Sequence, residues 1–222
     1  MVSNQLPWNS TYDNDKKVWG DKPSELAVVA YNYLKESQQF NCRKDIFILD
    51  LGCGYGRDAV FLAQHLPCHI LGLDSSEAAI QMARHSLSSD LKKRIELLCF
   101  DFSQVSDKYD VVFISNLYQL LKPEERAKLR ETLKRCLKED GVCFLSTFSV
   151  RDPQHFGKGA PVEGEPNSFL DVRYLHLSTR EELENDFNFL NISALYERQF
   201  HEPRSTRDHD HIAWILMGRI KQ

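Results

Sequence analysis

Short apolar runs alternate with stretches of three-to-four-residue apolar period from Ile46 to Phe148. Ile46–Leu51 is a continuous apolar run of strand length, the mark of a strand buried on both faces. Asp58–Leu66 reads as a helix, and His69–Leu73 as a second strand ending at Asp74. Ser75 or Ser76 then N-caps a helix carrying Ala79, Ile80, Ala83 and Leu87 on one side. Ile95–Cys99 and Asp110–Ser115 are the third and fourth strands. A helix starts at Pro123, shows Leu129, Leu133, Cys136 and Leu137 on one face, and is expected to stop at Gly141. Val142–Phe148 is the fifth strand. This alternation predicts parallel βαβ units in a doubly wound α/β sheet.

The flanks differ. No period is evident up to Lys22, and a helical pattern then runs from Pro23 to about Gln39. Residues 150–176 carry three glycines and three prolines, counting Pro153, and read as a long lid-like loop. Thr179 caps a short helix reaching Phe187, and two β-like segments, 192–200 and 211–220, join as an antiparallel hairpin.

Composition narrows the function. The 222 residues suffice for one buried α/β domain, with 42% hydrophobic and 27% charged residues. A net charge of −4 argues against nucleic acid or a membrane as partner. The amino-terminal stretch lacks the apolar segment of a signal peptide, and no apolar run is long enough for a bilayer. The six cysteines are scattered without a C-x-x-C pair, as expected for reduced thiols in the cytoplasm.

Chemistry concentrates in "IFILDLGCGYGRD", where glycines 52, 54 and 56 follow an apolar strand. A phosphate-binding P-loop needs Lys-Ser or Lys-Thr after its last glycine, and none is present. A dinucleotide fingerprint needs a third glycine where Arg57 stands. Downstream, Asp74 ends the second strand, where a carboxylate can accept from both hydroxyls of a ribose. Asp101-Phe102 follows the third strand, and Ser115-Asn116-Leu117 the fourth. All of these fall at the carboxyl edge of the predicted sheet, where ligands of open α/β sheets bind.

An apolar strand leading into D-x-G-x-G-x-G, with these three partners in order, resembles the class I S-adenosylmethionine (SAM)-dependent methyltransferases over about residues 21–149. "GCGYGRDAVFLA" is most similar to the tellurite-resistance and thiopurine-type small-molecule branch. The resemblance implies a Rossmann-like, seven-stranded, mostly parallel sheet with an antiparallel last strand. It implies SAM as cofactor, held by Trp19, Asp50, Gly52, Cys53, Gly54, Gly56, Arg57, Asp74, Ser75, Asp101, Phe102, Ser115, Asn116 and Leu117. Residues 1–222 would then form one methyltransferase domain. Its parts would be an N-terminal flap and helix (1–40), a SAM-binding core (46–149), a lid (150–178) and a C-terminal hairpin (190–220).

The expected partner is a small-molecule methyl acceptor, contacted by Tyr12, Tyr118, His155, Phe156, His209 and His211. No catalytic base is identifiable. His201, His209 and His211 with Asp208 and Asp210 invite a metal, but in an extended strand the histidines and aspartates point to opposite faces, so no metal is expected. Two alternatives stay open: an NAD(P)-dependent oxidoreductase, and a non-catalytic SAM-binding regulatory module.

Overall fold

The computed structural model describes residues 6–12, 17–202 and 209–221. The aperiodic N-terminal stretch holds a short helix, α1 (Leu6–Tyr12). Its anchors are tertiary: Tyr12 is 6% exposed and meets Tyr55 edge-on, and Asn9 accepts from Ser76 Oγ at 2.8 Å. The helical pattern from Pro23 becomes α2 (Glu25–Glu36), capped by Ser24, and α3 (Gln38–Asn41). Extended backbone at Ser37 separates the two.

The alternating region follows the predicted order. It runs β1 (Ile46–Leu51), α4 (Arg57–His65), β2 (Cys68–Asp74), α5 (Glu77–Ser86), β3 (Ile95–Cys99), β4 (Tyr109–Ser115), α6 (Pro123–Cys136) and β5 (Leu137–Phe148). Ser76, not Ser75, caps α5, its Oγ accepting from Ala79 N–H at 3.2 Å.

Gly141 does not stop α6, which ends at Cys136; the glycine lies inside β5. A Cβ there would sit 2.9 Å from the Asp110 carbonyl oxygen and 2.7 Å from Leu137 Cδ1. The residue admits close approach of β4 and β5 rather than capping a helix.

The segment 150–178, expected as a lid-like loop, is more ordered than the sequence suggests. It holds a three-stranded antiparallel sheet of β6 (Ala160–Pro161), β7 (Ser168–Leu170) and β8 (Tyr174–His176). Strands of two and three residues are too short for alternation to register. Buried His176 ties this sheet down, Nδ1 to Ser168 Oγ at 2.9 Å and Nε2 to Glu182 Oε1 at 2.6 Å. Glu182 belongs to α7 (Arg180–Asp186), capped by Thr179. The hairpin of β9 (Leu190–Glu202) and β10 (His209–Ile220) closes the chain.

The main sheet has strand order β3-β2-β1-β4-β5-β10-β9. β10 runs antiparallel to both neighbours, and the other six strands are parallel to one another. Both faces are buried. Ile46, Ile48, Val111, Phe113, Val142 and Phe144 enter one core, beneath α2, α4 and α5. Leu49, Leu51, Val112, Ile114, Cys143 and Leu145 enter the other, beneath α6 and α7. Strand order reverses between β1 and β4, which opens a crevice at their carboxyl ends. No helix among the described residues is long and apolar enough to cross a membrane.

Candidate cofactor and acceptor site

The loop after β1 uses left-handed backbone at all three glycines, with φ of 74°, 55° and 75° at Gly52, Gly54 and Gly56. Space is limiting as well at Gly52, where a Cβ would lie 3.1 Å from Leu117 Cδ1. Leu117 thus packs on the loop through the gap that the glycine leaves. The loop is pinned to β2: Gly52 and Cys53 N–H donate to the Leu73 carbonyl at 2.8 and 3.0 Å. Asp74 takes Gly54 N–H on one oxygen at 2.8 Å and Ser76 N–H on the other at 2.9 Å. Each oxygen keeps a lone pair for a further donor.

Three carboxylates gather at this loop. Asp58 is paired, accepting from Ser24 N–H at 2.7 Å, with Arg57 Nε 3.9 Å away. Asp50 is 2% exposed, and its Oδ2 has no hydrogen-bond partner among the described residues. Burial, then Asp58 and Asp74, push its carboxyl well above the usual range. Burial also raises Asp74, against the hydrogen bonds from Ser76, Gly54 and Ser75. A cation brought to this loop would favour the ionised form of these buried carboxylates, whereas a pyrophosphate would disfavour it further. The Cys53 thiol, pushed well up by burial and then by Asp50 and Asp74, is a buried spacer rather than a nucleophile.

Trp19 and Arg57 meet, though through the backbone. Arg57 Nη1 donates to the Trp19 carbonyl at 2.6 Å, and Tyr55 hydroxyl links Trp19 N–H (3.1 Å) to the Gly20 carbonyl (2.7 Å). The guanidinium therefore clamps the 19–22 segment over the loop. Ser75 is exposed beside Asp74. Exposed Asp101 caps a turn, accepting from Ser103 N–H at 2.9 Å, and Phe102 packs against the α6-side core. Ser115 pairs with Ser146 in register, and Asn116 is left-handed at φ 53°. Such a conformation is uncommon outside glycine, and Ser146 supports it through carbonyl and hydroxyl contacts at 3.1 and 3.2 Å.

A cavity of about 360 Å³ opens beside this loop, between the 19–26 segment and the α2-side face of β5 and β10. Trp19, Arg57, Asn116, Ser146, Phe200 and Ala213 line it. A more open depression of about 430 Å³ lies against α5 and β3 and contains none of the sequence-predicted residues.

The proposed acceptor residues are dispersed. Tyr12 is buried and its hydroxyl reaches Gly54, where a Cβ would lie 3.3 Å away. Tyr118 is fully buried, its hydroxyl donating to Asp186 with Arg130 Nη1 at 3.2 Å, so it belongs to the core and not to a ligand surface. Phe156 is exposed on the lid, edge-on to Phe169. The side chain of His209, and all of Asp208, fall outside the described residues. His155 and His211 come together, but around a residue the sequence did not single out, Asp152. Ligand-type atoms of these three lie within 4.8 Å of one another. Both Asp152 oxygens are occupied by N–H donors, so the carboxylate itself is satisfied by hydrogen bonds. His201 instead faces Asp210 at 3.1 Å.

Ser146 and Phe200 carry no local pattern in the sequence; only the pairing of β10 with β5 and β9 brings them to the cavity. Tyr55, inside the glycine loop, serves instead to hold the Trp19–Gly20 backbone.

Residues 48–141 match the family model described as a methyltransferase domain. A carboxy-S-adenosyl-L-methionine synthase of Shewanella sediminis (strain HAW-EB3) is 29% identical over 107 residues, 46% of this chain and 44% of that protein. The chain thus spans less than half the length of this curated relative. Among solved structures, a SAM-dependent methyltransferase from Anabaena variabilis superposes with a TM-score of 0.71 at 18% identity, covering 98% of this chain and 93% of that one. The 1,6-didemethyltoxoflavin-N1-methyltransferase of Burkholderia thailandensis, solved with bound 1,6-didemethyltoxoflavin and S-adenosylhomocysteine, gives 0.68 at 15% identity, covering 98% and 87%. The fold is that of class I methyltransferases, as the sequence resemblance implied.

Proposed function

We propose that this chain, which carries a methyltransferase domain in the class I methyltransferase fold, is an enzyme that transfers the methyl group of SAM to a small-molecule acceptor. The carrying observation is Asp50, buried beside the glycine loop with an unpartnered oxygen and two further carboxylates nearby. SAM brings an ammonium and a sulfonium, and NAD(P) brings a pyrophosphate. Only the first brings cations that would stabilise ionised carboxylates at that loop.

The residues present fit the cofactor. Asp74 keeps acceptor capacity that suits ribose hydroxyls, Asp101 and Phe102 after β3 are our candidates for contacting the adenine, and the loop backbone would hold the methionine part. When bound, SAM supplies an electrophilic methyl. The chain's task is then to orient donor and acceptor and to exclude water. The clamp of Arg57 on the 19–22 segment and the cavity of about 360 Å³ suit a small acceptor. All six cysteines are free, which goes with a reducing compartment such as the cytoplasm.

A second reading comes from the curated relative named as a carboxy-SAM synthase: a reaction that modifies SAM itself. Calorimetry with SAM, S-adenosylhomocysteine and NADH, followed by mass spectrometry of the products, separates these readings. Binding of SAM with S-adenosylhomocysteine and a methylated acceptor as products is expected. Binding of NADH alone overturns the proposal, and a carboxylated SAM product replaces it with the second reading.

A further inference from the structure

We propose that Asp152 and His155 form the proton-accepting unit of the acceptor site, and that the acceptor is therefore a hydroxyl or N–H compound rather than a thiol. This rests on the methyl-transfer reading above.

Asp152 is completely buried, in the first turn of the lid. Its Oδ1 accepts from Gln154 N–H (3.1 Å), His155 N–H (3.0 Å) and His155 Nδ1 (2.9 Å). Its Oδ2 accepts from Ile212 N–H (2.8 Å) and His211 Nδ1 (3.1 Å). These bonds, above all those from the two imidazoles, hold its carboxyl well below the usual range although burial opposes them. An ionised carboxylate only accepts, so each Nδ1 carries a proton. In a neutral ring so fixed, the basic nitrogen is Nε2.

The two rings differ in access. His211 is 1% exposed and packs on Phe148 and Phe200, with centroids at 5.1 and 5.5 Å. The side chain of His155 is 22% exposed and stacks on Phe148 at 4.5 Å. It is the member of the cluster that reaches outward. Its location fits an acceptor site. Phe148 lies two residues beyond the cavity residue Ser146 on one face of β5, and His211 two residues before the cavity residue Ala213 on β10. Phe200 belongs to both the cavity wall and the His211 packing.

Charged neighbours of the cluster are already paired. On the lid and β9, Arg151 pairs with Glu197 at 2.9 Å, and Glu197 also accepts from Ser149 Oγ. His201 of β9 pairs with Asp210 of β10.

The proton leaves the acceptor X–H for His155 Nε2. The electron pair of X forms the new bond to the methyl carbon, and the C–S pair remains on sulfur as a neutral thioether. Asp152 stabilises the resulting imidazolium, which returns its proton to water. A thiol already supplies a few per cent of strongly nucleophilic thiolate at neutral pH and gains little from such a base, whereas phenols and ring N–H groups gain more.

The test uses the full chain and two readouts. In ¹⁵N-histidine-labelled protein, long-range ¹H–¹⁵N spectra are expected to show neutral His155 protonated at Nδ1, and Asp152→Asn should weaken that tautomer preference. With saturating SAM, S-adenosylhomocysteine release is followed for phenol, catechol, imidazole and 2-mercaptoethanol. Turnover is expected with hydroxyl or N–H compounds. His155→Gln, at a side chain 22% exposed, should lower kcat about a hundredfold or more with SAM affinity unchanged. An Nε2–H tautomer, turnover of the thiol alone, no turnover of any probe by SAM-loaded protein, or undiminished kcat in His155→Gln each overturns the inference. Failure to bind SAM instead removes the underlying reading, and this inference with it.

Discussion

Replacing Asp50 by Asn keeps shape and removes one charge, and the structure predicts opposite effects on stability and on SAM binding. Asp50 has no hydrogen-bond partner at Oδ2 to lose, unlike Asp74, which takes two backbone N–H groups. Its folded carboxyl is raised by burial and by Asp58 and Asp74. A raised carboxyl pKa means that the folded state binds the proton more tightly than the unfolded chain. Stability is therefore lost as pH rises from the ordinary aspartate value through the raised one. Asp50→Asn escapes that loss. Its urea midpoint should exceed that of wild type at neutral pH, by a margin that shrinks as pH falls and vanishes below about pH 4. SAM should bind more weakly. A charge-assisted bond contributes about 1.5–3 kcal/mol, so calorimetry should show about a 10- to 150-fold rise in Kd. S-adenosylhomocysteine, which lacks the sulfonium charge, identifies the group contacted: an equal loss points to the ammonium, a loss with SAM alone to the sulfonium. Unchanged SAM affinity would refute Asp50 as a ligand contact. A stability difference that does not change with pH would refute the burial argument.

Three further outcomes follow from the same geometry. Asp74→Ala should weaken SAM binding at least about tenfold and also cost about 1–3 kcal/mol in urea unfolding, because Gly54 and Ser76 N–H lose their acceptor. Gly52→Ala should destabilise by about 1 kcal/mol or more, since it combines left-handed backbone with a Cβ pressed on Leu117; adding Leu117→Ala should recover part of that loss in a double-mutant cycle. Tyr118→Phe should cost about 1.5–3 kcal/mol in unfolding and leave SAM affinity unchanged, because its hydroxyl serves Asp186 and Arg130 inside the core.

The carboxyl edge of the sheet was legible because it is local. β1 and β3 have the bounds predicted from their apolar runs, and the glycine positions and chain order alone put Asp74, Asp101 and Ser115 on one side of the sheet. The acceptor side was not legible. Tyr118 occupies a position next to the site in sequence, yet its side chain turns into the α6–α7 core. His155 and His211 were named, but as unrelated candidates on a lid and a hairpin.

Sequence periodicity alone determined the βαβ order, the parallel core and the place of the glycine loop, since alternation, capping and left-handed glycines act within a few residues. Only the tertiary structure decided which charges face that loop, that Gly141 serves strand approach instead of a helix end, and that Asp152 gathers two histidines. Those outcomes depend on β10 inserting between β5 and β9, on the lid folding back, and on the N-terminal segment closing over the sheet. Contacts between residues 59 or 60 positions apart leave no period in the chain, and a buried carboxylate shows its partners only when the surrounding elements are packed.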